Sequence, residues 1–222
     1  MKRFLMSLFI TALSVGCTSN QPKPTASDDI AKPVPHEYLV RKPSFTNCEL
    51  EALITHTAGR QAIVFKATQE SLLATKNARA FQKDMINELF ARINDNGFRD
   101  YPMFAAEKFY QCIEREGVSI KKNLGGAAVC LARQDIPFYL YAKKQSGSTL
   151  EETTAFVKKL YENSSKEIYP ETLIEQTAKM VYRAKNTNDF YNIRRLSFET
   201  CLFPKEWKAW WESQQAAKKE TN

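Results

Sequence analysis

The side chains with the greatest chemical potential in this sequence are five cysteines, Cys17, Cys48, Cys112, Cys130 and Cys201, and two histidines, His36 and His56. Structural zinc draws its ligands in closely spaced pairs, and no Cys-x-x-Cys occurs here, so neither a metal nor a cofactor is expected. His36 lies in a proline-rich stretch, and His56 stands alone in a helical one, where a polar-face or capping role is expected of it. Gly-x-Ser-x-Gly, His-Glu-x-x-His, a Walker loop and a dinucleotide-binding glycine fingerprint are all absent from the sequence. Asn123-Leu124-Gly125-Gly126 lacks the Lys-Ser/Thr that a phosphate-cradling loop requires and reads as a linker. A nucleophile-plus-base pair would have almost nothing to draw on. Carboxylate catalysis could use Glu107, Glu151, Glu152 or Glu175, but each sits where a helix would present it to solvent. A protein without catalytic activity is therefore expected.

Five thiols in an oxidising compartment would leave one unpaired, unless one serves another purpose. Cys17 offers that purpose. Met1-Lys2-Arg3 is a short positive region, and Phe4 to Val15 is an apolar run interrupted only by Ser7, Thr11 and Ser14. A run of this length is too short to cross a hydrocarbon core, which takes roughly 20 residues, and it reads as the core of an export signal. Leu13-Ser14-Val15-Gly16-Cys17 resembles a bacterial lipobox, with Ser14 standing where that motif usually carries Leu. The resemblance implies cleavage between Gly16 and Cys17 and acylation of Cys17. Thr18 occupies the place where Asp resembles the inner-membrane retention signal of enteric bacteria, which implies an outer-membrane address facing the periplasm. Residues 1–16 are thus expected to be the signal, and the lipid to be the only firm attachment.

The chain of 222 residues carries a formal charge of +7, two of which, Lys2 and Arg3, would leave with the signal. No block of five or more like charges appears, so nucleic acid is not an expected partner. Residues 17–43 contain five of the nine prolines, Pro22, Pro24, Pro33, Pro35 and Pro43, and few large apolar residues. Such a composition cannot bury enough surface to offset chain entropy and is expected to act as a flexible tether.

From Ser44 onward the pattern is that of an all-α domain, with helical periodicity punctuated by capping residues. Cys48, Ala52, Leu53, Ala58 and Phe65 mark one face of a first helix, and Ala78, Phe81, Met85, Leu89 and Ile93 mark a second that Gly97 closes. Tyr101-Pro102 opens a third, which Gly117 ends. Ala127 to Gln145 follows, with Pro137 expected to bend or interrupt it. Ser148 and Thr149, facing Glu151 and Glu152, are overlapping capping-box candidates for a helix ending near Asn163. Tyr169-Pro170 starts another, and Phe190 to Phe203 forms the next, which Pro204 breaks. The closing segment, 205–222, reads as an amphipathic helix and tail carrying Trp207, Trp210 and Trp211.

This punctuation divides the body into a helical unit at 44–117, a connector at 118–126 and a second unit at 127–204. Each unit has a cysteine early in a long helix and another late in its last helix, and each closing cysteine follows an aromatic, Phe109 before Cys112 and Phe198 before Cys201. Ala58-Gly59-Arg60-Gln61 also echoes Ala142-Lys143-Lys144-Gln145. Two tandem, duplicated units would pair Cys48 with Cys112 and Cys130 with Cys201, one of three connectivities open to four cysteines. In the chain-entropy description each such bridge is worth roughly 4 kcal/mol at most.

The signal, the helical hairpins and the aromatic-preceded closing cysteines Cys112 and Cys201 resemble small disulfide-stapled α-helical periplasmic proteins, a group that includes secreted immunity proteins acting against type VI effectors. Three functions are compatible with this pattern. The first is a non-catalytic envelope lipoprotein acting as a protein-binding or assembly module, with Trp207, Trp210 and Trp211 as the candidate binding patch. The second, implied by the resemblance, is a periplasmic immunity protein. The third is a cell-wall hydrolase or its regulator, which would require a carboxylate cleft.

Overall fold

The computed structural model describes residues 43–74, 80–205, 207–209 and 212. They form α-helices without strands, stapled by Cys48–Cys112 and Cys130–Cys201. The bridges close sequence separations of 64 and 71 residues, and their Cα–Cα distances of 5.4 and 5.6 Å are those of ordinary disulfides. Among the described residues no helix is long and apolar enough to cross a membrane.

The organising element is α1, Pro43–Ile63, which begins one residue before the expected Ser44. Burial follows the helical period through Phe45, Cys48, Ala52, His56 and Arg60, and it extends around the flank to Glu49, Leu53 and Gly59. A helix buried on so wide an arc must be central, and α1 packs on three others introduced below. Phe65, expected on its inner face, lies beyond the helix end and is exposed. A short α2, Gln69–Leu73, is capped by Thr68.

Helix α3, Ala80–Asn96, turns Met85, Ile86 and Leu89 inward. Ala78, assigned to the same stripe by its spacing, lies outside the described residues. Helix α4, Tyr101–Arg115, starts where Asp100 Oδ1 accepts a hydrogen bond from the Met103 amide at 3.0 Å, with Pro102 in the first turn, where its missing N–H costs nothing. Gly97 and Gly117 follow α3 and α4 with φ of 62° and 64°, the left-handed backbone that closes helices.

Helix α5, Leu124–Ala132, begins inside the expected connector, so Gly125 and Gly126 fall in its first turn. Asn123 Oδ1 accepts from the Gly126 amide, and a Cβ at position 126 would stand 2.3 Å from the Asn123 amide nitrogen. Glycine there is a steric condition of the cap. The helix expected from Ala127 to Gln145 is interrupted at Arg133–Gln134, and α6, Asp135–Gln145, restarts with Pro137 in its first turn. Helix α7, Leu150–Leu160, carries the capping box of Thr149 and Glu152 and ends three residues before Asn163. Helix α8, Glu171–Arg183, follows Pro170, and α9, Thr187–Leu202, is capped by Asn186.

Three apolar clusters result. One joins α3 to the C-terminal half of α1 through Ala58, Met85, Leu89 and Phe104, and another, built on Ile136, Leu140, Val157, Ile174, Val181 and Phe190, unites α6 to α9. The third contains Cys48, Cys112 and Cys130 with Phe45, Phe109 and Phe198, and Cys201 packs against it. Both bridges therefore share one cluster that draws on residues from 44–117 and 127–204 alike.

Candidate functional site

The stripe that carries Cys48 down α1 continues to His56 and Arg60, each only 1% exposed. Arg60 Nε lies 3.0 Å from Asp135 Oδ1 at the start of α6, and its guanidinium sits over the rings of Phe138 and Tyr139, 3.7 and 4.2 Å from their centroids. His56 Nε2 is 3.6 Å from the same carboxylate oxygen. The hydroxyl of Tyr101, first residue of α4, donates to Asp135 Oδ2 at 2.5 Å. From α9, the buried Arg194 donates through Nη1 to Thr57 Oγ1 at 3.2 Å. One carboxylate thus gathers α1, α4 and α6 while two guanidiniums stand close by.

The protonation states follow from burial. Burial, followed by the fields of Arg194 and Arg60, holds the His56 imidazole well below its ordinary value, so it is neutral. Burial raises the Asp135 carboxyl, and Arg60 and the Tyr101 hydrogen bond oppose that rise. Arg194 is pulled down to about 10 by burial. Tyr101 is pushed up by burial and then by the Asp135 charge, and Tyr169 is raised to about 12 for the same reasons.

A second ionic group lies near the first turns of α1. Glu49 and Glu199, both fully buried, flank Arg195, which pairs with Glu199 and lies 3.6 Å from Glu49 Oε2. Burial first, and the neighbouring Glu199 second, raise the Glu49 carboxyl well above its ordinary range.

A cleft of about 250 Å³ lies between α6, α8 and α9. Ile136, Pro137 and Thr177 form its buried floor, Met180 and Thr200 stand exposed at its mouth, and Cys201 lines it. Arg133 anchors one wall by donating to the backbone oxygens of Ile168 and Glu167, both at 2.8 Å. The helix break at 133–134 falls where Pro137 requires it, because the proline has no N–H for the Arg133 carbonyl, which accepts from the Ile136 amide at 3.1 Å instead.

Of the residues singled out by sequence, the four bridge cysteines come together in one cluster. Gly16, Cys17, Trp210 and Trp211 lie outside the described residues, whereas Trp207 is half-buried, with its amide bonded to the Phe203 oxygen at 3.0 Å. His56 does not occupy a polar face; it is buried against Asp135. Glu107 pairs with Arg92, Glu175 with Lys158, and Glu152 completes a cap. Arg60, Asp135 and Arg194 escaped the sequence reading. The available signal was the i, i+4 series Cys48, Ala52, His56, Arg60, which places two cationic residue types on the inner stripe.

Among the described residues no group of three His, Cys, Asp or Glu side chains could hold a metal ion. No protein-family model matches the chain, and neither a curated protein nor a solved structure matches it.

Proposed function

We propose that this chain is an exported, lipid-anchored, non-catalytic protein of the bacterial envelope, held at the outer membrane facing the periplasm, where it binds another envelope or secreted protein. The observation that carries the reading is the cysteine balance. Four of the five cysteines are consumed in two bridges, and the fifth is Cys17, directly after the signal-like run. Disulfides persist in oxidising compartments, and an acylated Cys17 leaves no thiol over. The α6–α8–α9 cleft supports the binding part: its floor of Ile136, Pro137 and Thr177 and its polar walls of Gln176, Ser197 and Arg133 suit an inserted segment of a partner that offers hydrogen-bond acceptors.

Two measurements test the reading. Metabolic labelling with a fatty-acid analogue should acylate the wild type and place it in the membrane fraction, and Cys17→Ala should abolish both. An unlabelled, reduced wild-type protein of full precursor length in the cytosol would overturn the export. A photo-crosslinker at Met180 should capture a discrete envelope protein that a crosslinker at exposed Asp95, on the far end of α3, does not. Identical adducts from both positions would remove the cleft from the proposal.

A further inference from the structure

We propose that the Cys130–Cys201 bridge is a thiol-exchange site, at which a dithiol entering the α6–α8–α9 cleft attacks Cys201 Sγ while the Cys48–Cys112 bridge remains inert. Exchange requires a thiolate to reach a sulfur, so access decides which bridge reacts and at which atom. Cys48 and Cys112 are 0% exposed and Cys130 is 4% exposed, whereas Cys201 is half-buried and lines the cleft. Of the four bridge cysteines, the one that borders the cleft thus belongs to the second bridge.

Charge strengthens the distinction. Each bridge has a guanidinium beside its closing cysteine, with Arg115 Nη2 at 3.1 Å from Cys112 Sγ and Arg133 Nη1 at 3.3 Å from Cys201 Sγ. The Arg115 charge is balanced by Glu51 at 2.8 Å and Glu116 at 3.6 Å. Arg133 is fixed instead by two neutral carbonyls, which orient it without cancelling its charge. An anionic nucleophile approaching Cys201 is favoured next to such a cation, and so is the Cys201 thiolate that the second displacement releases.

The reaction balances as two successive displacements. One thiolate of the dithiol forms a bond to Cys201 Sγ, the Cys130–Cys201 bond breaks, and Cys130 leaves as a thiolate that takes a proton from solvent. The second thiol of the reductant, deprotonated in turn, attacks its own partner sulfur in the mixed disulfide and expels Cys201, which is protonated. Two electrons and two protons pass from the dithiol to the bridge. The inference does not rest on lipidation, and failure of one leaves the other standing.

The experiment uses the full folded chain, dithiothreitol as the dithiol, acid quenching, alkylation and peptide mapping by mass spectrometry. Cys130 and Cys201 should become alkylated about ten-fold or more faster than Cys48 and Cys112. Glutathione, a monothiol, should leave its adduct on Cys201. Thr200→Trp at the mouth should slow reduction of Cys130–Cys201 several-fold and leave the Cys48–Cys112 rate unchanged; Met180→Trp serves instead if circular dichroism shows that the first variant does not fold. Equal rates for the two bridges, the reverse order, an adduct on Cys130, or indifference to a filled cleft would each overturn the proposal.

Discussion

The two ends of α1 are buried among ionic groups of opposite balance. Near its first turns, two carboxyl side chains, Glu49 and Glu199, share the single guanidinium of Arg195, beside the apolar cluster that holds both disulfides. Near its last turns, two guanidiniums, Arg60 and Arg194, share the single carboxylate of Asp135. The excess is handled differently. A surplus carboxyl can retain its proton, and Glu49 is driven that way, whereas an arginine gives up its proton with great reluctance, so aromatic rings and a hydroxyl must absorb the surplus cation. The carboxyl-rich end is therefore tolerant and covalently reinforced, while the guanidinium-rich end depends on every partner being present.

The largest expected effect breaks the second end. Asp135→Ala strands Arg60 and Arg194 without their counter-charge, and removing one partner of a buried pair costs about 3–5 kcal/mol. Urea unfolding should register a loss of that size, and a change below about 1 kcal/mol would mean that the aromatic cage suffices alone. Removing the reinforcement from the first end, with Cys48→Ala and Cys112→Ala together, should cost about 2–4 kcal/mol. If the double variant melts with the wild type, the apolar cluster alone holds that end.

A smaller effect tests the approach of α1 to α4 on which the guanidinium-rich end depends. A Cβ on Gly59 would stand 2.5 Å from Tyr101 Cβ, so Gly59→Ala must displace the residue whose hydroxyl binds Asp135. Overpacking of this kind costs about 1–3 kcal/mol. Calorimetry should find it additive with Cys48→Ala/Cys112→Ala and strongly non-additive with Asp135→Ala.

The finest distinction is in pH. Glu49 is raised in the folded state, so the native protein keeps a proton that the unfolded chain loses, and its contribution to stability falls as pH rises above the ordinary carboxyl range. Glu49→Gln should therefore raise the melting temperature at pH 8 relative to wild type, with the gain shrinking toward pH 4. His56 is lowered, so below about 6.5 the unfolded chain takes up a proton that the native state refuses, and stability falls with acid. His56→Gln should flatten the wild-type slope between pH 7 and 5. Parallel slopes in both variants would show that the two ends do not titrate independently.

These ends also differ in how far they could be read from sequence. Helical class, the cap at Thr149 and the stops at Gly97 and Gly117 rest on local chemistry, the two bridges on the matched placement of cysteines in the two halves, and the structure reproduces them. The Asp135 cluster depends on residues 34 to 137 positions apart, and a periodicity argument that assigns charged side chains to solvent misplaces His56 and passes over Arg60. The interruption at Arg133–Gln134 is more legible. Pro137 has no N–H for the carbonyl of Arg133, four residues earlier, so the break falls there, whereas the distant loop that the Arg133 side chain bonds leaves no mark in the sequence.

Lys144, close to the end of α6, directs its ammonium group at the oxygens of Val181, Tyr182 and Ala184, at 3.1, 3.2 and 2.6 Å. Three acceptors hold that ammonium group in place, and it should react with acylating reagents more slowly than the adjacent Lys143, whose ammonium lies over the Phe156 ring of α7, 4.3 Å from its centroid. The contrast supplies an intrinsic footprint: a rise in Lys144 labelling reports α8 swinging away from α6, read against a neighbour that rests on α7 instead.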